Sequence, residues 1–205
     1  MVEGKRLTVT DVHSGVPQGT VLGPLLFLAF INDLPEVVSS PVRIFADDCL
    51  VYRSINKVED AAALQNDMSA LQQWDSDWQM MFHPAKCTTI HISKKRNPIH
   101  TGYKLHGHTL ESVTGSKYLG VHANKDLSWN AHIQQTSAKA SRLVGFLRRN
   151  LRGCPQDVKA QAYTTLVRPV LEYASTVWDP YTLQQIYALE RVQRQAAGDC
   201  SSRDP

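Results

Sequence analysis

The stretch from Val42 to Tyr52, reading Val-Arg-Ile-Phe-Ala-Asp-Asp-Cys-Leu-Val-Tyr, constrains the fold of this chain more than any other. Val, Ile, Phe and Tyr favour a pleated, half-buried backbone, whereas consecutive aspartates suit a tight turn. The spacing predicts a β-hairpin in which Val42 to Ala46 rises, Asp47-Asp48 makes the bend and Cys49 to Arg53 returns. Such a bend holds two carboxylates side by side on a rigid tip, where they repel. A divalent cation relieves that repulsion, and oxygen donors suit Mg²⁺. A solvated surface turn accounts for the same two residues, so the pair gains meaning only from its flanks.

The chain has 205 residues, of which 42% are hydrophobic and 20% charged, so it can bury a core and is not disordered by composition. A net charge of +3 favours a polyanionic partner only weakly. Cys49, Cys87, Cys154 and Cys200 are scattered without a Cys-x-x-Cys pair, which argues for a reduced, intracellular compartment. No zinc pattern joins Cys87 and His91, or His106 and His108, to a matching cysteine pair. No secretory leader is visible. The apolar run from Val21 to Ile31 is too short to span a bilayer and reads as a buried helix, so no membrane partner is expected.

Met1 to Val12 alternates loosely, as a strand or hairpin arm does. Ser14-Gly15-Val16-Pro17-Gln18-Gly19 then forms a stiff loop, in which glycine permits close approach and Gln18 offers both donor and acceptor atoms. A helix over Leu25 to Leu34 follows, with Pro24 in its first turn. Beyond the hairpin, Asn56 with Glu59 three residues later reads as a helix N-cap. Leu64, Met68, Leu71, Trp74 or Asp75, and Trp78 keep helical spacing to about Phe82, with the aromatics as core. Cys87 to Ser93 reads as a strand, Tyr103 to Leu110 as a hairpin bent at His106-Gly107, and Val113 to Val121 as a further strand.

From Asn124 the pattern is helical. One helix runs from a cap at Ser128 to Leu151, another from Pro155 to Val167 with a break at Pro169, and a third from Leu183 to about Ala197. Between Ala131 and Leu171 lie Lys139, Arg142, Arg148, Arg149, Arg152, Lys159 and Arg168 against the single acid Asp157. A solvated helix face is one reading of this excess, and a phosphate-backbone surface is the other.

The order of the pieces carries more than any one of them. Ser14-Gly15-Val16-Pro17-Gln18-Gly19, Leu22-Gly23-Pro24-Leu25-Leu26-Phe27, Ile31-Asn32-Asp33-Leu34-Pro35 and Phe45-Ala46-Asp47-Asp48 follow one another in this register. Trp78-Gln79-Met80 with Lys86-Cys87, Tyr118-Leu119-Gly120-Val121, Leu166 to Ser175, Trp178-Asp179-Pro180 and Leu189 to Arg194 continue it. From Ser14 to Ala197 the chain resembles the reverse transcriptases of non-LTR, LINE-type retrotransposons of the jockey kind. Phe45 and the Trp178 region favour this type over a group II intron maturase.

The resemblance implies an α+β fold, namely a partial right-hand polymerase palm over residues 1–123, an antiparallel sheet with packed helices, followed by an all-α basic thumb over 124–205. It implies two-metal nucleotidyl transfer with Mg²⁺, two ions about 3.5–4 Å apart. Asp47 would bind metal directly, Asp48 would support it, and Lys86 would serve as a proton donor near the nucleotide phosphates. Pro17, Gln18 and Gly19 would line the template and nucleotide surface, and Tyr118, Leu119 and Gly120 would form the primer grip. Arg142, Arg148, Arg149 and Lys159 would meet the nucleic-acid backbone. The implied partners are an RNA template, a DNA primer and deoxynucleoside triphosphates. The family carries a further catalytic Asp and the fingers upstream, but only thirteen residues precede Ser14, and His83 stands where Asn is usual. The chain therefore reads as the C-terminal part of a polymerase, from a truncated copy, inactive on its own. A non-catalytic nucleic-acid-binding module derived from such an enzyme is the alternative.

Overall fold

The computed structural model describes Gly15, Val16 and residues 19–201. The expected strand over Met1 to Val12, together with Asp11, Ser14, Pro17 and Gln18, lies outside the described residues. In chain order the elements are α1 (Leu22–Phe30), β1 (Val42–Phe45), β2 (Asp48–Val51), α2 (Val58–Asp77), β3 (Thr88–Ile90), β4 (Lys104–Leu105), β5 (His108–Thr109), β6 (Glu111–Val113), β7 (Gly115–Tyr118), β8 (Val121–Asn124), α3 (Asn130–Asn150), α4 (Gln156–Ala162), α5 (Arg168–Glu172) and α6 (Leu183–Ser201). Among the described residues the strands pair two by two. Three pairs are antiparallel (β1 with β2, β4 with β5, β7 with β8), and β3 runs parallel to β6. The chain divides into two compact units, one of Met1–Cys87 with Ile99–Leu110, the other of Thr88–Pro98 with Glu111–Pro205.

In the first unit, the Thr20 hydroxyl accepts the Gly23 N–H at 3.1 Å and starts α1 three residues earlier than expected. The helix stops at Phe30, and Leu34–Val37 turns as a short 3₁₀ segment with Pro35 at its start. The expectation of a buried helix is corrected here. Among the residues of α1 only Gly23 is buried, and Leu22 and Leu25 are 64% and 58% exposed. The sequence of α1 is apolar on every side, and only the side carrying Phe27 meets the core of Ile31, Leu34, Leu71 and Trp74.

Strand alternation settles the hairpin. Val42, Ile44, Cys49 and Val51 turn onto that same core, while Arg43, Phe45, Asp48 and Leu50 face outward. The helix that supports it, α2, begins at Val58 and not at Asn56. The Asp60 carboxylate, not Glu59, accepts the N–H groups of Asn56 and Lys57, each at 2.9 Å. The helix closes five residues before Phe82. Gln79 adopts φ +55°, the Met80 N–H donates to Asp75 O, and the Gln79 N–H donates to Ser76 O, so the last turn satisfies its own carbonyls.

Two buried carboxylates on α2 fix the rest of the unit. Asp67 accepts the backbone N–H groups of Ser39 at 2.8 Å and Ser40 at 3.0 Å, together with both serine hydroxyls. Arg53, one residue beyond Tyr52, lies 3.7 Å from the same carboxylate and donates to both serine hydroxyls. The chain entering β1 and the chain leaving β2 are thereby tied to one side chain. Burial by itself would raise the Asp67 carboxyl. The Ser40 and Ser39 hydrogen bonds outweigh it and hold the group below the ordinary carboxylate value. Asp75, fully buried, accepts from His106 Nε2 at 2.6 Å and from the Phe82 N–H at 3.2 Å. Gln65 adds an amide clamp, donating to Lys104 O and accepting the Lys104 N–H. The β4–β5 hairpin bends at His106-Gly107 as its sequence predicts, both at positive φ.

In the second unit α3, α5 and α6 share a core of Ala140, Val144, Val167, Leu171, Val192 and Ala196. The break expected at Pro169 is absent. A π-helical turn over Tyr163–Val167 joins α4 to α5, which places Pro169 in the first turn of α5, where no N–H is required of it. A second cluster of Val121, Ile133 and Trp178 seats the β8 strand on α3. The strand expected over Val113 to Val121 folds back on itself at Leu119-Gly120.

The Asp67 bonds generate a test. Asp67→Asn should cost roughly 1–3 kcal/mol in a urea melt, because one of the two accepting oxygens becomes an amide NH₂ that faces N–H and hydroxyl donors. The folded-state value is depressed, so the carboxylate's stabilisation is present above the unfolded value near 3.9 and is lost as pH falls through the folded value. Stability of the native chain should therefore fall more steeply below about pH 4 than that of the variant.

Candidate active site and nucleic-acid surface

The aspartates sit one register step from where the sequence predicts them. Phe45 pairs with Asp48, so the two-residue turn is Ala46-Asp47, and Asp48 is the first residue of the returning strand. The cause is conformational. Ala46 takes φ +51°, which supplies the left-handed first position that tight antiparallel hairpins require. An L-residue pays for that position about 1–2 kcal/mol. Both carboxylates are exposed, and neither has a hydrogen bond or ion pair among the described residues. Asp47 stands at the tip. Asp48 stands on the outward face with Phe45, Leu50 and Arg43, whose guanidinium lies 5.8 Å from the Tyr52 ring centroid.

Lys86 is exposed on a short 3₁₀ turn, Pro84–Lys86, which leads into Cys87. Cys49 directly follows Asp48. Burial first, and Cys87 second, push the Cys49 thiol up to about 11. Lys86 and the aspartate hairpin belong to the same unit. Gly19 is exposed at φ +80°, and Pro17 and Gln18 lie outside the described residues, so their expected approach to the aspartates is not described. Two adjacent, unengaged carboxylates offer the hard oxygen donors that a magnesium ion takes, which fits that ion's chemistry. Among the described residues no three His, Cys, Asp or Glu side chains gather as a cage.

In the second unit Tyr118 pairs with Val121 across a two-residue turn, Leu119 at φ +46° and Gly120 at φ +85°. Tyr173 explains why the second is glycine. A Cβ built on Gly120 would lie 2.9 Å from Tyr173 Cε1. The Tyr173 hydroxyl donates to Leu119 O at 2.9 Å, and the Trp178 indole N–H donates to Tyr173 O at 2.8 Å. Two segments more than fifty residues apart in sequence are therefore one structure. Sequence reading separated them, since nothing local to Tyr173 marks it as the support of a distant turn.

The basic residues divide by position. Arg142, Arg148 and Arg149 are exposed on α3, and Lys159, half-buried, is on α4. Sequence reading missed Lys117, His122 and His132, which line a cavity with Lys139 and Arg142. The available signal was the spacing of His132, Lys139 and Arg142 along a single helical stripe.

The Tyr173 seat generates a paired test. Gly120→Ala should destabilise the chain by roughly 1–3 kcal/mol, through positive φ and the ring contact together. Tyr173→Phe should cost only about 1 kcal/mol, the net value of one hydrogen bond. Chemical denaturation of both variants reads the difference.

The model of the family described as reverse transcriptase (RNA-dependent DNA polymerase) matches residues 1–123. Among curated proteins, the RNA-directed DNA polymerase from mobile element jockey of Drosophila melanogaster is 28% identical over 193 residues, 86% of this chain and 20% of its own length. The jockey polymerase of Drosophila funebris is 30% identical over 188 residues, again 86% of this chain and 20% of its own. The probable RNA-directed DNA polymerase from transposon BS of Drosophila melanogaster is 28% identical over 208 residues, 92% of this chain and 23% of its own. The chain spans about a fifth of the length of these relatives. No solved structure matches it. The expected likeness to jockey-type, non-LTR retrotransposon polymerases is borne out over most of the chain, and the chain belongs to the reverse transcriptase family.

Proposed function

We propose that this chain contributes the later palm, over residues 1–123, and the thumb, over 124–205, of an RNA-directed DNA polymerase of a non-LTR retrotransposon. The observation that carries the reading is the hairpin itself: two carboxylates, unengaged among the described residues, at a turn whose inner face packs half-buried on the core and whose base is held by Asp67. The exposed leucines of α1 support a place within a longer polymerase, since a helix apolar on every side is a buried helix in a larger protein.

In this reading Asp47 and Asp48 would hold divalent magnesium. When bound, the ions neutralise charge on the reacting phosphates and lower the pKa of the primer hydroxyl. The chain's own residues do the positioning. The hairpin fixes the carboxylates, Lys86 carries a proton near the departing phosphates, and Pro17, Gln18 and Gly19 line the template and incoming nucleotide. Tyr118, Leu119 and Gly120 hold the primer end. Arg142, Arg148, Arg149 and Lys159 meet the backbone phosphates of an RNA template and DNA primer. Nearly all of the catalysis in such a step is placement and charge stabilisation.

Mn²⁺ titration followed by NMR tests the hairpin. Paramagnetic broadening should centre on Ala46 to Cys49 and vanish in Asp47→Asn; broadening that survives the substitution would defeat the metal assignment. Binding of a primer–template duplex should weaken with salt at a log–log slope of about −0.9 for each phosphate met on duplex DNA. A flat response would remove the backbone surface. In primer extension on an RNA template with Mg²⁺ or Mn²⁺, the 205-residue chain alone should be nearly inactive. Both of its placed carboxylates come from one hairpin and bear on the ions from one side, whereas Mg²⁺ requires near-octahedral oxygen geometry. Robust extension, abolished in Asp47→Asn, would show that the chain supplies the missing ligand itself, with Asp11 as the candidate.

A further inference from the structure

A cavity of about 490 Å³ lies wholly within the second unit, between the β7–β8 hairpin, α3 and the segment around Val170 and Tyr173. That volume is in the range of small-ligand sites. Its polar lining is cationic. Lys117 and His122 are cross-strand partners on β7 and β8, and His132, Lys139 and Arg142 descend one stripe of α3. Gln135 adds an amide, and no carboxylate lines the cavity. Lys117, Lys139 and Arg142 have no ion-pair partner among the described residues.

The wall shows that the charges bear on one another. His132 is 4% exposed, and its Nδ1 accepts the His122 backbone N–H at 3.3 Å, so that nitrogen carries no proton. Burial, then His122, then Lys117 push the imidazole below its ordinary value. A neutral histidine here keeps one further cation out of a cavity that already holds three. Cations that line one concave site repel unless an anion joins them, and a concave site of one sign concentrates the opposite ion.

We propose that this cavity is a phosphate-binding site, with Lys117, Lys139 and Arg142 as its charged donors and His122 and Gln135 as further hydrogen-bonding groups. Arginine offers a phosphate two parallel N–H groups, and the lysines act as point charges around it. The phosphate group belongs either to a nucleic-acid backbone or to a free phosphate or pyrophosphate. The site stands on its own chemistry and requires neither Asp47 nor Asp48; the polymerase reading bears only on which source fills it.

The test is NMR of the imidazole C–H signals of His122 and His132 in the 205-residue chain, titrated separately with inorganic phosphate, pyrophosphate and a short RNA–DNA duplex. A saturable shift of both signals is expected with at least one probe. It should weaken roughly tenfold or more in Lys139→Gln/Arg142→Gln, as the loss of charged hydrogen bonds implies. The His132 titration midpoint should also rise when the probe is bound, because the anion offsets the surrounding positive charge. Saturation by the duplex at far lower concentration than by the free anions identifies the backbone as the source, and the reverse order identifies a free phosphate. No saturable shift with any probe, or shifts unaffected by the double substitution while the variant's far-UV CD and melting stay native, overturns the proposal. Duplex binding that is lost in Arg148→Gln/Arg149→Gln but never shifts the two histidines would overturn the cavity and leave the polymerase reading intact, since the Mn²⁺ experiment judges that separately.

Discussion

The first unit depends on what two carboxylates of one helix do away from water. Asp67 accepts from four donor groups of Ser39 and Ser40 and sits beside Arg53. Asp75, about two helical turns further on, takes His106 and the Phe82 N–H. A carboxylate buried without partners would be expelled or neutralised; with partners it becomes a fixed point. Each aspartate fastens chain that has little other reason to stay. Ser39-Ser40 and Arg53 are the two ends of the hairpin that bears Asp47 and Asp48, and β4–β5 is a hairpin of only two residues per strand.

That arrangement separates two tasks within one hairpin. Its inner face, Val42, Ile44, Cys49 and Val51, is held by apolar contact with Ile31, Leu34, Leu71 and Trp74. Its base is held by Asp67. Among the described residues the tip has no partner, so Asp47 and Asp48 are available to a cation without first surrendering a bond there. Cys49, next to Asp48, is kept a protonated and unreactive thiol by burial, with Cys87 adding to the effect.

The second unit solves a different problem, that of holding a two-residue turn in which both positions take positive φ. Leu119 and Gly120 both take positive φ, which allows the tight reversal, and Tyr173 fills the space that a side chain on Gly120 would occupy. Trp178 then fixes Tyr173 through its carbonyl while packing with Val121 and Ile133. The same hairpin carries Lys117 and His122, so the support of the turn also shapes the wall of the cationic cavity. Placement of the turn and placement of the charges are therefore one structural event.

The residues by themselves determined where the main elements fall. Alternation of β-prone side chains located the β1–β2 hairpin, helical spacing located α2, α3 and α6, and His106-Gly107 located a turn, because each of these rests on contacts between near neighbours in sequence. The ordered motifs were enough to indicate the family. Tertiary structure decided the rest. It moved the bend to Ala46-Asp47, with Ala46 at positive φ in the first turn position, a backbone choice that the run of residues does not display. It folded the Tyr118 to Val121 segment back on itself, since Tyr173 supports the reversal from across the unit. It carried the helix past Pro169 by a π turn, which puts Pro169 in the first turn of α5, where no N–H is required of it, while Val167 and Leu171 pack in the core. And it made Asp67 and Asp75 into anchors: an acid among Leu64, Met68, Leu71 and Trp74 was visible in the sequence, but its partners lie twenty-seven and thirty-one residues away, and only folding brings such distant groups within hydrogen-bond reach.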